Sequence, residues 1–212
     1  MNTEVPNATF TFEIIRDWYA RDIENPVLTR VEYFPINWKS KVGNSDASIN
    51  FKTDYRVSVQ KGDLVINQED GRVSMLNWRI QKYPNNQATQ AVDCNAYLTF
   101  ERQQEEKWNS EGKVIQEGGM QPVVTEMPAV CSEYAGRPDY ALKLDSPGIQ
   151  ADALITVYVQ MNSETRKIRL DDEFSWGLFR YRVININEAE IDICSEHGVL
   201  GLNARRVAGE TA

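Results

Sequence analysis

Histidine is almost missing from this chain, cysteine is scarce and no long apolar run occurs, and each shortage removes a class of function. The single histidine, His197, lies in Glu196-His197-Gly198. A zinc helix of the H-E-x-x-H type needs two histidines four residues apart, so that chemistry is excluded. A histidine beside a turn glycine reads as a surface residue rather than a general base. The 3 cysteines, Cys94, Cys131 and Cys194, show no C-x-x-C spacing, so neither a disulfide framework nor a structural zinc site is expected. Their odd number leaves at least one thiol unpaired, which fits folding in a reducing cytoplasm. Cys94 falls on the apolar face of a predicted strand and Cys194 ends one. Packing is therefore the expected role, not a nucleophile pair with His197.

No apolar stretch approaches the ~20 residues of a membrane-spanning helix. Met1-Asn2-Thr3-Glu4 has neither a basic n-region nor an apolar core, so no signal peptide is expected and the Asn7-Ala8-Thr9 sequon is idle. Gly118-Gly119 is followed by neither Lys-Ser/Thr nor a helix, so it is no phosphate cradle. Asp171-Asp172-Glu173 lacks the alternating spacing of a calcium loop, and no Gly-x-Ser-x-Gly elbow occurs. The expectation is a protein that is not an enzyme and takes no cofactor or metal. Carbohydrate chemistry by paired carboxylates is the one catalytic class the sequence leaves open.

What the chain does hold is the material of a folded globule, 42% hydrophobic and 25% charged over 212 residues. That length lets folding bury about 70% of the unfolded surface without a covalent staple. Asp and Glu number 31 against 23 Lys and Arg, a net charge of −8. Such a surface repels a phosphate backbone at long range and argues against a dedicated nucleic-acid binder. Arg180, Arg182, Arg205 and Arg206 gather near the C-terminus and read as solvated strand faces, with a local basic patch as the alternative.

From Thr11 to Glu24, Phe12, Ile15, Trp18, Tyr19 and Ile23 recur at helical spacing among Arg16, Asp17, Arg21 and Asp22. This predicts an N-terminal helix stopped at Asn25-Pro26. Beyond it the period is two. Leu64–Asn67 and Arg72–Ile80 flank an Asp-Gly hairpin turn after the Lys61-Gly62-Asp63 turn. Ala88–Phe100 predicts one strand with Ala88, Val92, Cys94, Ala96, Leu98 and Phe100 on its apolar face. Glu101–Gly119 reads as a protruding hairpin or mobile loop, and Pro122 and Pro128 confine Val123–Ser132 to an edge or an arm. Tyr134–Ile149 reads as a linker or contact loop. Alternation returns in Ala153–Met161, Lys167–Leu170, Phe179–Ile186, Ile191–Cys194 and Val199–Arg206.

The expected fold is mainly β, with two small β-sandwich or barrel-like units, one N-terminal helix and an extended connecting arm. The helix and an extended arm take residues 1–49, the first unit 50–100, a charged, proline-marked arm or loop insertion 101–149, and the C-terminal unit 150–212. With 5 tryptophans and 9 tyrosines the chain is rich in the side chains that carry interface energy. Phe12, Ile15, Trp18, Tyr19, Trp108, Tyr134 and Trp176 are the expected partner-contact residues.

Two stretches carry a resemblance to a known family. The first runs from Lys61-Gly62-Asp63 through Met75-Leu76-Asn77-Trp78 to Cys94-Asn95-Ala96-Tyr97-Leu98-Thr99-Phe100. The second is Ile168-Arg169-Leu170-Asp171-Asp172-Glu173-Phe174, then Tyr181-Arg182-Val183 and Gly198-Val199-Leu200-Gly201-Leu202. In this order they resemble neck-region virion proteins, head-to-tail connector or head-closure components, of tailed bacteriophages of Gram-positive hosts. Ser74-Met75 departs from the family's usual tyrosine, and the N-terminal segment and residues 101–149 lie outside the resemblance. It implies a structural protein of the virion neck, made in the host bacterial cytoplasm and assembled as a cyclic homo-oligomeric ring. Its partners would be copies of itself, a portal or adaptor protein above and a tail or terminator protein below. DNA would pass through the lumen without sequence-specific contact, and no membrane is involved. The alternatives are a tail-terminator or baseplate subunit, or a stand-alone β-sandwich module binding carbohydrate through Trp38, Trp108 or Trp176.

Overall fold

The computed structural model describes residues 8–35, 48–76, 80–116, 118–133, 154–187 and 197–211. The first half supplies β1 (Ala8–Ile15), β2 (Leu28–Pro35), β3 (Ser48–Asp54), β4 (Leu64–Asn67), β5 (Val73–Leu76), β6 (Gln81–Lys82) and β7 (Asn86–Asp93). All pair antiparallel in the order β3-β2-β1-β4-β5-β7, and β7 also pairs with β3. The ladders therefore run in a ring of six, with β6 added on β7. The second half supplies β8 (Ala96–Gln104), a short ribbon of β9 (Lys107–Trp108) and β10 (Val114–Gln116), then β11 (Gly119–Glu133), β12 (Leu154–Met161), β13 (Glu173–Trp176), β14 (Phe179–Asn187) and β15 (Gly198–Thr211). Six of these close a barrel in the order β11-β12-β15-β14-β13-β8. Closure removes the unpaired edges that an open sheet would present.

The mainly β, barrel-like expectation holds, and the N-terminal helix does not form. Ala8–Ile15 is β1, paired with β2 on one side and β4 on the other. Ala-Thr-Phe-Thr-Phe-Glu-Ile-Ile is rich in β-branched and aromatic residues, and it alternates as well as it fits a helix. Two neighbouring strands satisfy its backbone, and that tertiary pairing decides the outcome. After it, the Asp17 carboxylate accepts the Tyr19 N–H, and the Asp22 carboxylate accepts those of Glu24 and Asn25. These aspartate turns offer the backbone an alternative to a helix.

Phe12 and Ile14 point into the first barrel with Val31, Phe51, Leu76 and Ala91. Phe12 and Phe51 meet edge to face at 5.5 Å. The same interior holds polar side chains. The Thr29 and Thr53 hydroxyls are 3.0 Å apart, and the Gln87 amide donates to the carbonyls of Asp54 and Val57. This overturns the single strand expected over Ala88–Phe100. It is two strands broken at Cys94-Asn95, and in β7 the buried positions are Gln87, Thr89 and Ala91. Hydropathy alternation misassigned the face because the inward polar groups are satisfied by one another and by backbone.

The second barrel closes on an apolar core that includes Phe100, Met127, Val157, Phe174, Val183 and Leu202. Phe174 packs on Phe100 at 5.0 Å and stacks on Tyr181 at 5.8 Å. The arm expected over 101–149 is a strand of this barrel from Gly119 to Glu133. Its prolines are accommodated: Pro122 and Pro128 lie where β11 has only β8 beside it, and β12 joins from Ala129 onward. Register shifts between Pro122 and Met127, with Glu126 at φ 49°, absorb the missing ladder bonds. The expected segments Tyr134–Ile149 and Ile191–Cys194 lie outside the described residues, as do Trp38, Trp78 and Tyr134.

The pairing assigns residues 8–35 to the first barrel and Ala96–Gln104 to the second, so the units drawn along the chain at 50–100 and 150–212 do not coincide with the barrels. The two share a seam. β4 and β5 are buried on both faces, Val65 and Leu76 facing the first core while Leu64, Ile66, Val73 and Met75 join the second. Gln160, 1% exposed, clamps the seam. Its Nε2 donates to the carbonyls of Ile15 and Gly62, both at 3.0 Å, and its Oε1 accepts the Trp18 N–H at 2.9 Å. Gly62 has φ +92°, and a Cβ there would lie 2.0 Å from the Gly198 carbonyl oxygen. At the crossover the Asn95 side chain pairs with both the N–H and the carbonyl of Cys131, each at 2.7 Å.

Candidate functional site

The expected contact residues separate into interior and surface. Phe12 and Ile15, each 2% exposed, are core residues, so as placed they offer a partner nothing. The reason is the strand: alternate side chains of β1 enter the two cores on either side of it. Trp18 is half-buried against the second core, 6.2 Å from the Tyr97 ring, and carries the Arg21 guanidinium 6.0 Å from its centroid. Glu13 fixes that arginine through two 2.7 Å hydrogen bonds. Trp176 is half-buried beside Tyr181 at 6.1 Å. Tyr134 lies outside the described residues. Tyr19 and Trp108 are exposed.

Trp108 stands on the β9–β10 ribbon, which leaves the second barrel between β8 and β11. It is 58% exposed and lies opposite Val114, and the adjacent Ile115 is 65% exposed. Among the described residues no third strand pairs with this ribbon.

Tyr19 lines a groove of about 450 Å³ with Asp17, Ala20, Val123, Thr125, Ser163 and Glu164. Its hydroxyl donates to the Thr125 carbonyl at 2.6 Å. Partial burial, then the carboxylates of Glu164, Asp17 and Glu126, push the phenol up to about 12 against the hydrogen bond to Thr125. The groove therefore mixes the acidic Asp17 and Glu164, the latter paired with Lys167 at 2.6 Å, with the apolar Ala20 and Val123. Three distant segments build it, and no local pattern in the chain announces it.

The outer wall of β13 and β14 carries a charged network. Glu173 accepts from Arg180 at 2.7 Å and from Arg182 at 2.7 and 2.9 Å, and Arg180 also reaches Glu101 at 2.7 Å. Burial alone would raise the Glu173 carboxyl, but the two arginines outweigh it and hold the group below the usual carboxylate range. Arg205 of β15 lies opposite Arg182 across the ladder, and Arg206 caps the Phe179 ring at 3.3 Å. Arg180, Arg182 and Arg205 thus share one wall with Glu101 and Glu173, whereas Arg206, opposite the inward-facing Tyr181, lies over Phe179.

Burial pushes the Cys94 and Cys131 thiols up to about 12, with Asp93 adding to the effect at Cys94. Both stay protonated near neutral pH, the unreactive form. Cys194 lies outside the described residues. His197 lies near Asp63, whose carboxyl is raised by burial against a hydrogen bond from the Gln60 N–H and the charges of Arg16 and His197. Among the described residues no cluster of three or more His, Cys, Asp or Glu could hold a metal ion, and no helix is long and apolar enough to cross a membrane. No protein-family model, no curated protein and no solved structure matches the chain.

Proposed function

We propose that the protein is a structural component of a tailed-phage virion, a ring-forming adaptor or head-closure subunit joining portal to tail at the neck. The observation that carries this reading is the β9–β10 ribbon, which projects Trp108, Val114 and Ile115 into solvent from a rigid closed barrel. Exposed large apolar side chains grouped on a projecting element are the anchors that protein partners bury. The stretches that resemble the neck family support it from a second direction. Cys94–Phe100 crosses from one barrel to the other, and the segments around Phe174, Tyr181 and Gly198–Leu202 build the second barrel.

In this reading copies of the chain close a ring, the ribbon grips the portal or tail protein, and DNA passes through the lumen. A net charge of −8 suits a channel wall that must not hold DNA by its phosphates. Imaging of the protein alone and mixed with portal or tail partners tests the proposal. Rings or partner-dependent stacks are expected, and Trp108→Ala should weaken partner binding at least tenfold. A chain that remains monomeric and ignores both partners refutes it. The exposed Trp108 indole also favours a second reading, a carbohydrate-binding module, which predicts glycan-array binding that Trp108→Ala abolishes.

A further inference from the structure

We infer that copies of this chain associate head to tail, the arginine wall of β14 and β15 on one copy seating over the groove beside β11 on the next. The inference rests on the self-assembly proposed above and names the two faces that would make it.

The barrel order places the faces. In a closed ring of β11-β12-β15-β14-β13-β8, β14 is three strands from β11 in either direction, hence diametrically opposite. Val124 is buried in the barrel core, so its neighbours Val123 and Thr125 point outward into the groove. Tyr181 and Val183 are likewise buried, so Arg180 and Arg182 point outward on the far side. One copy therefore presents the groove and the arginine wall as two different faces on opposite sides, and a heterologous contact joins two different faces.

Charge selects the pairing. Asp17 and Glu164 line the groove and Glu126 is close enough to act on Tyr19, so three carboxylates stand there against the one Lys167 that pairs with Glu164 at 2.6 Å. On the wall, Arg180, Arg182 and Arg205 outnumber Glu101 and Glu173. Pairing wall with wall, or groove with groove, sets like charges together in a chain that already carries −8. Wall against groove is the attractive combination. Exposed ion pairs give only about 0.2–1 kcal/mol each, so they set register while apolar contact supplies affinity. The wall offers Ile184, 46% exposed at the irregularity between Val183 and Asn185, and the groove offers Val123, Ala20 and the Tyr19 ring.

The test is sedimentation velocity on the full chain and on variants that block one face each, with circular dichroism as the check on folding. Arg205→Glu reverses the wall, and its new carboxylate faces Arg182, so the barrel gains an ion pair. Ser163→Trp plugs the groove from an exposed turn position, and Asp17→Lys reverses its charge independently. Each variant alone should self-associate at least tenfold more weakly than the parent. An equimolar mixture of Arg205→Glu and Ser163→Trp retains one intact wall and one intact groove, and it should form dimers and nothing larger. If the parent assembles but folded single-face variants assemble equally well, or the mixture stays monomeric, the inference is overturned and self-assembly stands. If the parent is monomeric at every concentration and with its partners, both fail.

Discussion

Replacing Gln160 by leucine asks whether the two barrels are held by a polar clamp or by apolar burial alone. The substitution nearly preserves volume and adds apolar surface, so a purely hydrophobic seam would tolerate it. It also removes the partner of three backbone groups, the carbonyls of Ile15 and Gly62 and the N–H of Trp18. A buried polar group left without a partner costs about 1–3 kcal/mol. Trp18 is only half-buried and water can serve its N–H, so the two carbonyls dominate and a loss of about 3 kcal/mol is expected. For a chain of this length that corresponds to roughly 6–12 °C in Tm. Urea unfolding followed by tryptophan fluorescence and circular dichroism measures it, and Trp18 beside the clamp should report the seam opening. A loss below about 1 kcal/mol, with the urea dependence unchanged, would refute the clamp and leave the seam to Leu64, Ile66, Val73 and Met75.

Three further outcomes are expected. Gly62→Ala combines a left-handed backbone with a Cβ 2.0 Å from the Gly198 carbonyl, so thermal unfolding should show a larger loss than Gly71→Ala, which has positive φ but open space. Glu173 is held below the usual carboxylate range, so its contribution is present above its unfolded pKa and lost as pH falls through the folded one. Acid unfolding of Glu173→Gln should therefore depend less on pH in that window, and an unchanged profile counts against the Arg180–Glu173–Arg182 network. Cys131, buried in the second core, should resist a thiol reagent at neutral pH until denaturant is added, whereas rapid labelling of it in the native state would contradict its burial.

The sequence by itself determined the class of the fold. Period-two runs such as Leu154–Met161 and Phe179–Ile186, with turn residues between them, leave little but antiparallel β structure. It also marked the arginines of the second barrel's wall and the exposed Trp108. Tertiary structure decided where strand and helix signals overlap. Phe12, Ile15 and Trp18 suit a helix on paper, but β2 and β4 supply hydrogen bonds to both edges of Ala8–Ile15, so the segment is a strand. It decided the inward face of β7 as well, because Gln87 and Thr89 find partners inside a closed ring that hydropathy cannot foresee. The groove depends on residues 17–20, 123–125 and 163–164 meeting at the seam. Contacts of that range are fixed by strand order and register, which emerge only once the ladders close.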